Sequence, residues 1–233
     1  MNSVHLQLEN VRKEFSRRII FDKINFELTN GNSIAITGIN GSGKSTLVKI
    51  IAGILSPTRG IVTLTVNGKE MKLEQYHNYI GFVAPYIQMY DEFSAYENLK
   101  FFARIRGMHF DTGYADQLLD RIVLYSRRND AVRTYSSGMK QRLKYAFALL
   151  HKPEILIFDE PRANLDRHGI ATVYSIMEEN KPESVIILAT NDEEDLSHVE
   201  TIINLDELKE QQKSEKQMRS SARSKQPSTE VAK

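Results

Sequence analysis

"GINGSGKST", residues 38–46, is the stretch on which the reading of this chain turns. Gly38, Gly43, Lys44 and Ser45 meet the spacing G-x-x-x-x-G-K-[ST]. Glycines tolerate backbone angles that other residues avoid, so successive N–H groups can turn inward toward one anion. The lysine adds a positive charge at the end of the loop, and the hydroxyl after it suits Mg²⁺. The flanks agree with this. "NSIAIT" (32–37) is a short apolar run that reads as a buried strand, and "STLVKIIAGI" (45–54) has helical spacing until "LSPTRG" stops it. A helix that starts at the loop points its positive end at the same anion. Lys44 is therefore expected to reach β- and γ-phosphates and Ser45 to hold Mg²⁺. Gly38, Asn40, Gly41, Ser42, Gly43 and Thr46 complete the cradle.

Moving outward, the acidic partner of such a loop is found at "EILIFDE" (154–160), another buried-strand run. It puts Asp159 at the carboxyl end of a strand, the edge where open α/β sheets bind ligands. Asp159 is expected to hold Mg²⁺ and Glu160 to orient or deprotonate the attacking water. "SVIILAT" (184–190) repeats the buried-strand pattern, and "HGIATVYSIMEEN" (168–180) between the two reads as a crossover helix.

Toward the N-terminus, Val4, Leu6 and Leu8 alternate, as do Ile24, Phe26 and Leu28. Val62, Leu64 and Val66 alternate before Asn67-Gly68, a hairpin signal. From about 86 to 150 the periodicity is helical, in "AYENLKFFARIRGM", "YADQLLDRIVLY" and "SGMKQRLKYAFALLH". The expected fold is α/β: a P-loop NTPase core of mainly parallel sheet, an antiparallel β subdomain and a helical insertion. One domain over 1–206 is expected, followed by a charged, disordered tail over 207–233. From Lys213 onward this tail carries six Lys/Arg and two Glu.

Composition narrows the function classes. The 233 residues are 41% hydrophobic and 26% charged, enough apolar content for a core. A net charge of +1 argues against a nucleic-acid partner. There is no cysteine, so disulfides and thiolate metal sites are excluded. No apolar run is long enough to span a bilayer, and "MNSVHLQLEN" lacks the features of a signal peptide.

Between the loop and the acidic strand lies "YSSGMKQRL" (135–143). With the other two motifs, and in that order, it resembles the signature of ATP-binding cassette (ABC) ATPases. The resemblance covers about residues 4–205. Ser136 and Gly138 stand at signature positions, and Ser136 can cap a helix over 137–150 that starts with bare N–H groups. The resemblance implies that this end meets the γ-phosphate held by a second cassette, in a homodimer or beside a paired second cassette. It implies adenine stacking on Phe15 and a trans contact from Asp166 of "ANLD" (163–166). "SAYENL" (94–99) resembles the stretch near which membrane partners dock. ATP and Mg²⁺ are the implied ligands, and transmembrane permease subunits the implied partners. The implied location is cytoplasmic, peripheral on the membrane through the permease. The haem-exporter (cytochrome c maturation) group is one candidate relationship.

Two positions depart from the family pattern. Pro85 falls where a glutamine is usual, with Gln88 three residues later; either Gln88 swings in to serve metal and water, or that contact is missing. Asn191 falls at the switch histidine. It can donate one hydrogen bond to a γ-phosphate oxygen but cannot carry a positive charge. The expectation is a working, slowed ATPase of an ABC transporter; the alternative is a nucleotide-gated dimerisation module with little hydrolysis.

Overall fold

The apolar runs around the glycine loop are strands of one parallel sheet. The computed structural model describes residues 2–212 and Ser214. It begins with strands β1 (Val4–Phe15), β2 (Arg18–Thr29) and β3 (Ser33–Thr37), then helix α1 (Lys44–Ile51). Strands β4 (Arg59–Val66), β5 (Lys69–Glu70) and β6 (Ile80–Val83) follow, and then helices α2 (Ala95–Ile105), α3 (Thr112–Arg121) and α4 (Ser137–Leu149). The chain returns to the sheet as β7 (Ile155–Asp159), α5 (Arg167–Asn180), β8 (Val185–Ala189), α6 (Glu193–Leu196) and β9 (Thr201–Asn204). The parallel sheet has the order β6-β7-β8-β3-β9, and an antiparallel sheet has the order β2-β1-β4-β5.

The central strands carry unbroken apolar stretches, 34–36, 155–158 and 185–189, because both faces of the sheet are covered. Ile155 and Ile157 face a core shared with α1 and the antiparallel sheet. Leu156 and Phe158, pointing the other way, join the core of the helical insertion and α5. The Asn67-Gly68 turn closes the β4–β5 hairpin with both residues at positive φ, 51° and 76°, as a tight turn of matching twist requires.

Two short strands lie where no strand is expected. β6 falls within "IGFVAPYIQMYDEF" and β9 within the segment after Asn191. Each has four residues and sits at an edge of the parallel sheet, too short to show a period. The expected disordered tail also needs correction at its start. Residues 205–212 are helical, because Leu205 is buried and Leu208 packs on the same core. Apart from Ser214, the tail from Lys213 onward lies outside the described residues.

His151, just beyond α4, carries a pH consequence. Its Nε2 donates to the Ile80 carbonyl at 3.1 Å, which leaves Nδ1 a buried acceptor with no donor. Burial first, and then the positive charge of Arg106, push its pKa down to about 3, with His77 adding a smaller push the same way. A folded-state pKa below the unfolded value means the fold holds the neutral ring. The stability it contributes is complete above about pH 6.5 and is lost as pH falls toward 3. Between pH 7 and pH 5 this one group should remove about 2 kcal/mol of stability. Thermal melts at the two pH values should differ less for His151→Gln than for the native chain, and equal differences would refute the assignment.

Candidate functional site

β3 ends at Thr37 and the chain turns at Gly38 (φ 138°), Gly41 (φ 83°) and Gly43 (φ 114°). Gly43 caps α1 with no side chain, so the first N–H groups of the helix stay open toward the loop. At Gly38 an added Cβ would lie 2.8 Å from both Ser42 Oγ and Asp206 Oδ2, so glycine is required there. The Ser42 hydroxyl is 2% exposed and has no hydrogen-bond partner. Lys44 is 6% exposed, and its ammonium donates to the carbonyls of Gly38 at 2.7 Å and Ile39 at 3.4 Å. Burial lowers its pKa, while Glu160, Asp159 and Asp206 pull the other way. A buried ammonium, an unpartnered buried hydroxyl and open N–H groups around one loop form a cradle that fits a polyphosphate.

Beside the cradle, Asp159 closes β7 and is 1% exposed. Ser45 Oγ donates to its Oδ1 at 3.0 Å, and the Tyr86 hydroxyl donates to its Oδ2 at 3.4 Å. Burial is the main cause that raises the Asp159 pKa, and the Ser45 hydrogen bond opposes it. Burial and Asp159 together push the Tyr86 phenol well above its ordinary range, so it remains a donor. Among the described residues no three His, Cys, Asp or Glu side chains gather as a metal set. Ser45 and Asp159 therefore suit a hard divalent cation that takes its remaining oxygens from phosphate and water.

Glu160 follows in the left-handed region (φ 52°), its N–H held by Ala189 O at 2.9 Å. That conformation is unfavourable for a residue with a side chain by about 1 kcal/mol. It separates neighbouring carboxylates: Asp159 is enclosed, whereas Glu160 is exposed on a cavity of about 400 Å³ with Arg162, Thr190 and Asn191. Asn191 Nδ2 donates to Asn40 Oδ1 at 2.8 Å, so the switch position lies against the phosphate loop.

The remaining expected residues are placed as follows within the chain. Ser136 is exposed and caps α4 through Met139 N at 3.2 Å. Gly138 sits in the first turn of α4, where a Cβ would come within 3.0 Å of Asn164 O. Asp166 caps α5 through Gly169 N at 2.8 Å. Phe15 is 46% exposed at the end of β1, with the Lys13 ammonium 4.8 Å from its ring centroid. Thr46 is half-buried in the first turn of α1.

Gln88 makes no hydrogen bond to Ser45, Asp159 or Glu160, and lines a groove beside Phe101 and Phe102 instead. A turn closed by Ile87 N to Ala84 O carries the chain so that Tyr86, two residues earlier, meets Asp159.

Sequence reading also missed the braces. Asp206 accepts the Ile39 N–H at 2.7 Å, and Lys209 donates to Ser42 O at 2.7 Å, so the helix over 205–212 holds the phosphate loop. Arg162 pairs with Asp192 at 2.6 Å and Glu194 at 2.9 Å, tying the loop after Glu160 to the segment that carries Asn191. A run of charge in "NLDELKE" and "NDEED" was the available signal, and it does not by itself say what the charges meet.

A phosphate loop on β3–α1, an acidic end on β7, two strands away in the same sheet, and a helical insertion whose last helix starts at Ser136 define an ATP-binding cassette fold. The ABC transporter family model matches residues 21–163, and the chain belongs to that family. It is similar to the linearmycin resistance ATP-binding protein LnrL of Bacillus subtilis (strain 168), 35% identical over 181 residues, 74% of this chain. The chain spans 58% of that relative's length. It is also similar to the lantibiotic transport ATP-binding protein SrtF of Streptococcus pyogenes, 33% identical over 186 residues, 80% of this chain and 79% of that one. A solved ATP-binding subunit of an ABC transporter superposes with a TM-score of 0.75 at 25% identity, covering 85% of each chain.

Proposed function

We propose that this chain is the ATP-hydrolysing subunit of an ABC transporter, working as one of two cassettes on the cytoplasmic face of separate membrane subunits. The observation that carries this is the cradle: buried Lys44, unpartnered Ser42 Oγ and the Ser45–Asp159 pair converge on one loop. Its residues divide the work. The loop N–H groups and Lys44 bind and orient the phosphates. Mg²⁺ at Ser45 and Asp159 would neutralise charge on the phosphate oxygens. Glu160 orients the attacking water or takes its proton. Asn191, already against the loop, donates one hydrogen bond to a γ-phosphate oxygen. The Ser136 helix start faces outward, free to receive a partner cassette's nucleotide.

Closure of two cassettes needs a mechanical outlet. An apolar groove of about 340 Å³ runs between α2 and the parallel sheet, lined by Ile54, Phe82, Ile87, Phe101, Phe102 and Ile105. It suits a helix of a membrane subunit. The linearmycin and lantibiotic names of the relatives favour antibiotic-handling exporters over the haem-exporter group.

Phosphate release, measured with and without Mg²⁺ on the chain with its membrane partner, tests the proposal. Turnover should depend on Mg²⁺, and Asn191→His should raise it about tenfold by restoring a charge-assisted contact. Tight ATP binding with no phosphate release would replace the motor by a nucleotide-gated dimerisation module.

A further inference from the structure

We propose that Tyr86 is a positioning residue for the cation site, doing through its phenol what the absent glutamine would do through a carboxamide. The proposal rests on the reading that Ser45 and Asp159 hold a divalent cation beside a nucleotide. Both oxygens of Asp159 carry a donor: Ser45 on Oδ1 and Tyr86 on Oδ2. Two donors from opposite elements set the plane of the carboxylate, which a single hydrogen bond leaves free to rotate. Hydrogen-bond partners of this kind orient metal ligands and tune their affinity.

The ring is itself held. The Lys49 ammonium lies 4.0 Å from its centroid, a cation–π contact, and Phe82 stands at 6.2 Å. Lys49 is one turn beyond Ser45 on α1, so one helix face supplies both a cation ligand and the support for Tyr86. From the other side, Lys144 of α4 donates to Pro85 O at 2.7 Å and Ala84 O at 3.1 Å, anchoring the backbone that carries Tyr86. A phenol, like a carboxamide, both donates and accepts. Proline at position 85 can supply neither a side-chain amide nor an N–H.

Tyr86→Phe keeps the ring and the Lys49 contact and removes only the hydroxyl. Mn²⁺ titrations followed by electron paramagnetic resonance, at saturating ATP, should give about tenfold weaker Mn²⁺ binding for this variant than for the native chain. The thermal midpoint should not move, since Tyr86 is 45% exposed. In phosphate release, the half-saturating Mg²⁺ concentration should rise by a similar factor, and excess Mg²⁺ should restore the maximal rate. Structural damage would not produce that split. If the native chain with ATP binds no Mn²⁺, the cation reading fails and this proposal with it. If the native chain binds and Tyr86→Phe binds equally well, only the role of Tyr86 is overturned. Weakening by Gln88→Ala instead of Tyr86→Phe would overturn it too.

Discussion

Glu160→Gln should lower steady-state ATP turnover by about two to four orders of magnitude, the range spanned by loss of a positioned general base. The substitution is nearly isosteric and falls on an exposed side chain, so folding should survive it. The backbone stays anchored, because Glu160 is held through its N–H to Ala189 O rather than through its carboxylate. Nucleotide affinity should hold or rise. Burial lowers the Lys44 pKa and the nearby negative charge of Glu160 opposes this, and a charge so placed repels bound phosphates. Phosphate release and fluorescent-nucleotide titration on the same preparation separate the two effects. Turnover at the native rate would move water activation to another residue.

Gly138→Asp should abolish ATP-driven pairing of cassettes and lower turnover about 100-fold, while each chain still binds nucleotide. The effect has two sources. A Cβ at this position already comes within 3.0 Å of Asn164 O, on the loop that leads to Asp166. The added carboxylate would also occupy a helix start proposed to meet the partner's γ-phosphate, setting like charges against each other. Folding of the single chain should be spared, because an acid in the first turn of α4 complements the helix dipole. Gly138→Ala separates the causes, since it brings the close contact without the charge and should be mild. Light scattering with ATP, in a Glu160→Gln background that retains the nucleotide, reads the pairing directly. Undiminished pairing of Gly138→Asp would refute the trans site.

What could be read from the residues followed the range of the interactions that produce it. Three central strands were legible in "NSIAIT", "EILIFDE" and "SVIILAT", since cover on both faces leaves an unbroken apolar run in the sequence. The edge strands β6 and β9 have one neighbour each and only four residues, too few to show a period. The phosphate loop was legible because its chemistry is local: glycine angles, a lysine and a helix start lie within nine residues. Which residue after Pro85 would reach Asp159 was not legible. Tyr86, Ile87 and Gln88 are all close in sequence, and the path of one turn, fixed by α1 and α4, decides between them.

The sequence by itself determined the class of the protein: a cassette with a phosphate loop, a signature helix start and an acidic strand end, each encoded by neighbouring residues whose backbone angles and side chains act together. Tertiary structure alone decided how these parts meet. Ser45 and Asp159 are 114 positions apart, Asn40 and Asn191 151, and Ile39 and Asp206 167. Contacts across such separations depend on the order in which strands pack in the sheet, and no local pattern of residues records that order.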